Sequence, residues 1–159
     1  MSIYDSLFSS SFGLNEQIAR QIFDTLPEQG TIMLIMDKEG NIWPNNSEEF
    51  SKSGISESFL KELCNKVDDG VEPVLTQTDK CSIIAAQLAT ERTDCGYVIM
   101  ALPNYSPESM LINIDLIEIV LNQISLIAKL IEKNTLLYEL QIKNHCVAAQ
   151  SYENAAALN

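Results

Sequence analysis

The sequence predicts an α+β domain built on an antiparallel β-sheet, and three features indicate this fold class. Short apolar runs alternate with turn sequences, which is typical of strands joined by local hairpins. Two shorter segments have the periodicity of amphipathic helices, and a long apolar stretch near the C-terminus predicts one extended helix. With 159 residues, 46% of them hydrophobic, the chain can bury the core of one ordinary domain.

The N-terminal part predicts a helix followed by a hairpin. Segment 15–26 (NEQIARQIFDTL) places Ile18, Ile22 and Phe23 on one face, and Asn15 can cap it. Segment 31–36 is a continuous apolar run, which predicts a strand covered on both faces. The turn sequence DKEG then leads into a shorter strand over 41–45, where Pro44 indicates a sheet edge.

The middle of the chain predicts a second helix and a three-strand meander. Segment 56–67 (SESFLKELCNKV) begins with a plausible N-cap, Ser56, and carries an apolar stripe of Phe59, Leu60 and Leu63. Strands are predicted over 73–76, 81–89 and 97–102, where Pro103 ends the last one. Because each connection is short, neighbouring strands should run antiparallel.

The C-terminal stretch from residue 110 to residue 140 or beyond predicts a long helix with too much apolar surface for one sheet to cover. Its polar positions form one narrow stripe (Asp115, Glu118, Asn122, Ser125, Lys129 and Glu132). About 35 helical residues span roughly 50 Å, whereas a compact chain of this size is only about 40 Å across. We therefore expect a homodimer through a coiled-coil seam, with the N-terminal helix as the alternative cover. The predicted seam follows alternating four- and three-residue steps through Ile117, Leu121, Ile124, Ala128, Ile131, Thr135, Tyr138 and Ile142.

Charge and hydropathy exclude several partners. Ten basic against 22 acidic residues give a net charge of −12, which disfavours nucleic acid and anionic membrane surfaces. The N-terminus has no basic segment followed by a long apolar one, so we expect no secretory signal. Polar residues interrupt the apolar stretch 110–131, so we expect no transmembrane helix and a cytoplasmic location.

The sequence offers few residues for catalysis or metal binding. His145, the single histidine, is followed by Cys146, but neighbours on a helix point about 100° apart and do not form a nucleophile–base pair. The four cysteines have no metal or redox spacing, and no phosphate-binding glycine motif is present. We therefore expect no cofactor, no metal and no catalytic residue.

A ligand cavity is predicted near the single tryptophan, Trp43, between its hairpin and the helix that begins at Ser56. Such cavities combine aromatic walls with a few polar groups. Sheet-edge packing of Trp43 is the alternative. The candidate lining residues, placed by element order alone, are Trp43, Asn45, Phe50, Phe59, Leu63, Cys81 and Ser82.

The order of these elements resembles a GAF domain. The resemblance rests on the hairpin TIMLIMDKEGNIWPNN, the strands CSIIAAQLA and GYVIMAL, and the step PNYSPESM into the long helix. It covers most of residues 15–142, between an N-terminal segment (1–14) and a helical extension or linker (143–159). It implies a central sheet of about five to six strands, with the first and last helices on one face and a helix and loops on the other. The hairpin also resembles a PAS domain, which is the alternative fold.

The GAF resemblance implies a non-catalytic sensory or regulatory domain. Such domains bind small molecules or dimerise, and they relay a change along the closing helix to an output domain or signalling partner. No cyclic-nucleotide signature, assignable bilin-linking cysteine or internal haem-binding histidine is present. A dimerisation or docking scaffold with a filled pocket is the alternative function. Because some GAF-like proteins reduce oxidised methionine with pocket cysteines, the resemblance also implies a third alternative, a thiol-based reductase using Cys64, Cys81 and Cys95.

Overall fold

The computed structural model describes residues 12–26, 30–70, 73–91 and 93–158. Five helices in this part are α1 (Glu16–Asp24), α2 (Ser47–Ser53), α3 (Glu57–Asp68), α4 (Pro107–Ile112) and α5 (Ile114–Ala157). The strands are β1 (Ile32–Asp37), β2 (Ile42–Pro44), β3 (Val74–Gln77), β4 (Cys81–Ala89) and β5 (Asp94–Pro103). Residues 1–11 of the predicted N-terminal segment lie outside the described residues.

The five strands form one antiparallel sheet in the order β2-β1-β5-β4-β3. The long strands β4 and β5 pair from Cys81 with Pro103 to Ala89 with Asp94, with an irregularity at Leu88 and Ala89. β1 lies on the other side of β5 and pairs Ile35 with Val98. The predicted α+β class and antiparallel sheet are therefore confirmed.

Each face of the sheet has its own apolar core. The first core lies under α1 and α5 and includes Ile22, Ile35 and Ile124. The second lies under α3 and includes Leu34, Leu63 and Ile99. All six residues of β1 are buried, as a strand between two cores requires. The first and last long helices thus share one face and α3 covers the other, as expected.

Helix caps explain several element boundaries. The side chains of Asn15 and Ser56 accept hydrogen bonds from backbone N–H groups in the first turns of α1 and α3, as the sequence predicted. Asn46 caps α2 in the same way, by accepting from the N–H groups of Glu48 and Glu49. α2 was not predicted, because its seven residues include no buried side chain and therefore give no apolar stripe.

The long helix α5 has 44 residues and extends to Ala157. At 1.5 Å per residue it spans about 66 Å, more than the roughly 40 Å diameter of a compact chain of this size. Its buried residues are confined to the part from Ile117 to Glu132, and every residue from 141 to 158 is exposed. The C-terminal part of α5 therefore extends beyond the sheet.

Candidate functional site

A row of exposed apolar side chains lies on the side of α5 away from the sheet. We call this row the outer seam. Its members are between 37% and 82% exposed: Ile112 at the end of α4, then Leu116, Ile119, Leu126, Leu130, Leu137 and Leu140. Soluble monomers rarely expose continuous apolar surface on this scale, so the outer seam is a candidate interface.

The outer seam has the spacing of a coiled-coil stripe. Its positions advance in alternating steps of four and three residues, once Gln123 and Lys133 are counted at the two places where the pattern is polar. Both of these residues are exposed. A second helix could therefore pack along the seam by inserting its side chains between successive turns.

The predicted dimer seam needs correction. Ile117, Leu121 and Ile124 are at most 7% exposed and belong to the core between α5 and the sheet, so they present no surface to a second copy. Ile131 is half-buried against the same core, and Tyr138 is 65% exposed. The sequence contains two apolar stripes with coiled-coil spacing, and the stripe without an interruption before residue 131 is the one that packs on the protein's own sheet.

Few charges border the outer seam, although the whole chain carries −12. In a coiled coil, the residues that border the apolar stripe on its two sides stand directly before or directly after its members in the sequence. On one side they are Asp115, Asn122, Lys129, Leu136 and Lys143, and on the other Asn113, Val120, Ile127, Asn134 and Gln141. Only one carboxylate occurs in this set, so the seam is a place where two acidic proteins can approach without strong local repulsion.

The predicted ligand-binding residues lie on opposite faces of the sheet and do not line one cavity. Trp43 packs against the core under α1 and α5, because it pairs with Ile35 in the β1–β2 register. The Ser82 hydroxyl donates to the Tyr105 carbonyl at 2.6 Å. The other predicted lining residues belong to or pack against the α3 core: Phe50, Phe59, Leu63 and Cys81.

Trp43 and Asn45 do line a groove, but it lies between α1 and the edge strand β2 rather than beside α3. The groove has a volume of about 320 Å³, and its walls also include Ala19, Arg20 and Phe23. The Asn45 side chain is already engaged, since it accepts from the Met33 N–H at 2.9 Å and donates to the Thr31 carbonyl at 3.0 Å. The Asn45 side chain therefore links the end of β2 to the start of β1 at the edge of the sheet.

A polar network joins the β1–β2 turn, α3 and β5. Lys38 Nζ lies 3.1 Å from Asp68 Oδ1 and 2.9 Å from Asp94 Oδ2, and it also donates to the Tyr97 hydroxyl at 3.0 Å. The Tyr97 hydroxyl donates to Asp68 Oδ2 at 2.6 Å. Burial opposes the charged form of Lys38, but the hydrogen bonds with Tyr97, Asp94 and Asp68 outweigh it and raise the lysine pKa. Burial raises the pKa of Tyr97, so its phenol stays protonated near neutral pH and can donate to Asp68. The network therefore holds the β1–β2 turn, α3 and β5 together.

Replacing Asp68 with Asn is expected to weaken the acid sensitivity of folding. The hydrogen bond from Tyr97, with Lys38 beside it, lowers the pKa of Asp68 below its ordinary value of 3.8. The unfolded chain then binds a proton more readily than the folded chain does. The contribution of the Asp68 carboxylate to the free energy of unfolding is therefore present above pH 3.8, and it is lost as the pH falls through the lower pKa of the folded state. The loss at pH 7 should be at most about 1 kcal/mol, since both partners are partly exposed.

Urea unfolding of the wild type and of Asp68→Asn, at pH 7 and at about pH 2.5–3, measures the difference in their free energies of unfolding. The stability gap should shrink on acidification, and the control variant is Asp69→Asn, which removes the neighbouring exposed carboxylate. A gap that is equally large at both pH values would show that Asp68 acts without its charge.

Buried Glu132 attaches the β4–β5 turn to α5. It is 4% exposed, and its Oε2 accepts hydrogen bonds from the hydroxyls of Thr90 at 2.7 Å and Thr93 at 3.5 Å. The sequence placed Glu132 in the narrow polar stripe of the helix, and no local signal indicates partners some 40 residues earlier. Because a buried carboxylate needs such partners, Glu132 fixes the position of the sheet on the helix.

The three buried cysteines are poorly suited to redox chemistry. Cys64, Cys81 and Cys95 are buried, and only Cys146 is exposed. Burial raises the pKa of Cys64 to about 11 and also raises the pKa of Cys95. Cys64 and Cys81 belong to the α3 core, whereas the Cys95 Sγ lies beside the Thr93 carbonyl at the β4–β5 turn. Since the thiolate is the reactive species, this arrangement gives the reductase alternative no support.

A thiol-labelling experiment should therefore find one reactive cysteine. In the folded protein at pH 8, an aromatic disulfide reagent should modify Cys146 rapidly and the other three thiols only after unfolding in urea, because reaction needs an accessible thiolate. The Cys146→Ser variant should show no rapid reaction. A second rapidly reacting thiol in the folded protein would revive the reductase hypothesis.

Comparisons with known proteins found no match: no family model, no curated protein and no solved structure matches the chain. The GAF and PAS resemblances therefore stay predictions. Within the described residues, no group of three or more His, Cys, Asp or Glu side chains is placed to hold a metal ion. The helices of the described part include none with the length and hydropathy needed to cross a membrane.

Proposed function

We propose that this protein is a non-catalytic homodimerisation module in which a second copy covers the outer seam of α5. The observation that carries the proposal is the row of seven apolar side chains, 37–82% exposed, at coiled-coil spacing. Fully burying one Leu or Ile side chain contributes roughly 1.5–3 kcal/mol. Covering these exposed side chains along about eight turns of helix on both copies therefore provides a substantial driving force.

A second copy fits this surface better than an acidic or basic partner. The seam is apolar, and its flanking positions contain few charges of either sign. Neither a strongly basic nor a strongly acidic surface would find complementary charge there. A copy of the same seam offers matching apolar width and the same spacing.

The second core favours scaffolding over ligand sensing beneath α3. The residues that α3 contributes to this core, Leu60, Leu63, Cys64 and Val67, are at most 4% exposed. The space between α3 and the sheet is thus occupied by side chains, which supports the filled-pocket alternative from the sequence.

A regulatory role remains part of the proposal through the groove at Trp43. A small molecule bound there would contact α1, which packs on α5, so binding could alter the helix that carries the interface. Trp43 is the only tryptophan, so its fluorescence reports on this groove alone. Titration with nucleotides and amino acids should shift Trp43 emission and raise the melting temperature if the groove is a sensor site. Unchanged emission and melting temperature across both sets would leave the scaffold role.

We also propose a cytoplasmic location and an output domain or signalling protein as the further partner. Four unpaired thiols support a reducing compartment. The exposed C-terminal part of α5 supports attachment of a partner, since it extends beyond the sheet without cover.

Sedimentation velocity across a dilution series tests the proposed self-association. The expected species has the mass of two copies of the 17.7 kDa chain and dissociates on dilution. A mass of 17.7 kDa at high micromolar concentration would contradict the proposal.

A further inference from the structure

We propose that the two copies pair through their outer seams with their α5 helices antiparallel. The helices cross at the level of Ala128, between Leu126 and Leu130. This inference rests on the proposed homodimer and specifies its geometry. In this arrangement Leu126 faces the partner's Leu130, and Ile119 faces the partner's Leu137. Leu116 likewise faces the partner's Leu140, so each of these layers of the interface is apolar on both sides.

The polar positions of the seam select this direction. Between residues 112 and 140 the coiled-coil pattern is broken at Gln123 and at Lys133. A parallel pair in register would place Lys133 against its own copy, bringing two ammonium groups together in an apolar contact. In the antiparallel pair, Lys133 instead faces the partner's Gln123, whose amide oxygen can accept its hydrogen bond.

Glu91 does not remove this repulsion. Lys133 Nζ lies 3.5 Å from Glu91 Oε1, and the two side chains are 58% and 63% exposed. An ion pair this open is screened by solvent and offsets only a small part of the repulsion between two facing lysines.

The flanking charges at the two ends of the seam favour the same direction, whereas at the crossing point Lys129 lies near its own copy on the flank, outside the apolar contact. Asp115 stands at one end of the seam and Lys143 at the other, on the same flank. In the antiparallel pair these opposite charges come together at both ends of the interface. In a parallel pair the two residues stay at opposite ends, far beyond hydrogen-bond distance, because 28 helical residues separate them by about 42 Å.

The antiparallel arrangement changes how the module would act. The exposed segments of α5 after residue 144 would leave the interface in opposite directions. Two partners attached there would be held apart rather than side by side. The module would then act as a spacer between partners, and not as a relay through two adjacent C-terminal helices.

Cysteine cross-linking between matched seam positions tests the direction. Two variants, Ile119→Cys and Leu137→Cys, are made in a Cys146→Ser background, unfolded together, refolded and treated with a short bis-maleimide. We expect a cross-linked dimer in the mixture and none with either variant alone, since identical positions would lie about 27 Å apart in the antiparallel pair. Cross-linking of each variant with itself would mean a parallel pair and would overturn this inference.

The same experiment separates failure of the inference from failure of the homodimer. Sedimentation mass is measured for each variant before cross-linking. A mass of one copy in the Cys146→Ser background alone would overturn the proposed function and the inference with it. If a cysteine variant alone loses dimerisation, the pair Leu116→Cys with Leu140→Cys probes the same register, and absence of a mixed product from that dimeric pair would overturn the inference.

Discussion

Replacing Leu126 and Leu130 with Glu is expected to convert the protein to a monomer without unfolding it. Both side chains lie in the middle of the outer seam and are 57% and 53% exposed, so neither contributes much to the protein's own core. A dimer would lose the apolar contact of both residues on both copies and would bury carboxylates against each other. At about 1–1.5 kcal/mol for each half-buried side chain, the dissociation constant should rise roughly 1000-fold or more.

Sedimentation velocity and circular dichroism of this double variant give the measurement. The matched control is Gln17→Glu with Asn65→Glu, which adds the same charge at exposed positions of α1 and α3. The control should stay dimeric, and the seam variant should keep a native helical spectrum at half the mass. A seam variant that stays dimeric would contradict the proposed interface.

Replacing Gly96 with Ala is expected to destabilise the fold by more than about 3 kcal/mol. Gly96 lies in β5 between β1 and β4 and has a φ of +149°, a conformation that side chains rarely adopt. An added Cβ would overlap the Met36 carbonyl oxygen and come within 2.9 Å of the Asp37 Cα. Since both obstacles are backbone atoms of the neighbouring strand, β1 and β5 would have to separate.

Thermal and urea unfolding of Gly96→Ala test this expectation against Gly13→Ala. Gly13 has no atom within 4 Å of an added Cβ and no positive φ, so its variant should unfold as wild type does. For a domain of this size, a loss of 3 kcal/mol corresponds to a melting temperature lower by about 6–12 °C. A Gly96→Ala variant that melts within about 2 °C of wild type would show that the strands can yield at little cost.

Local patterns were sufficient to predict the sheet and the long helices. The run 31–36 is apolar throughout because β1 lies between two cores, and its strand was predicted on that basis. The caps at Asn15 and Ser56 located two helix starts within a residue. These features depend on neighbours in the chain, so the sequence displays them directly.

The side of the long helix that meets the sheet could not be read from the sequence. The stripe through Ile117 and Ile124 and the stripe through Ile119 and Leu126 have the same spacing. Only packing decides between them. The sheet takes the continuously apolar stripe, and the stripe interrupted by Gln123 and Lys133 is left exposed.

The residues of the predicted cavity lie on both faces of the sheet for a related reason. Alternation along β4 separates Cys81 from Ser82 onto opposite faces, but the face that Trp43 shares depends on its register with Ile35. The Lys38 network and the Thr90–Glu132 contact join residues 29 to 59 positions apart. No local signal predicts contacts across such separations.

If a second copy covers the outer seam, the side chains of the two seams touch, and isotope-filtered NMR of a mixed dimer detects such contacts. One half of the sample carries ¹³C-labelled leucine and isoleucine methyl groups, and the other half is unlabelled. We expect intermolecular NOEs to the methyl groups of Leu126 and Leu130. An absence of intermolecular NOEs to these methyl groups, at a concentration where the wild type sediments as two copies, would contradict the proposed interface.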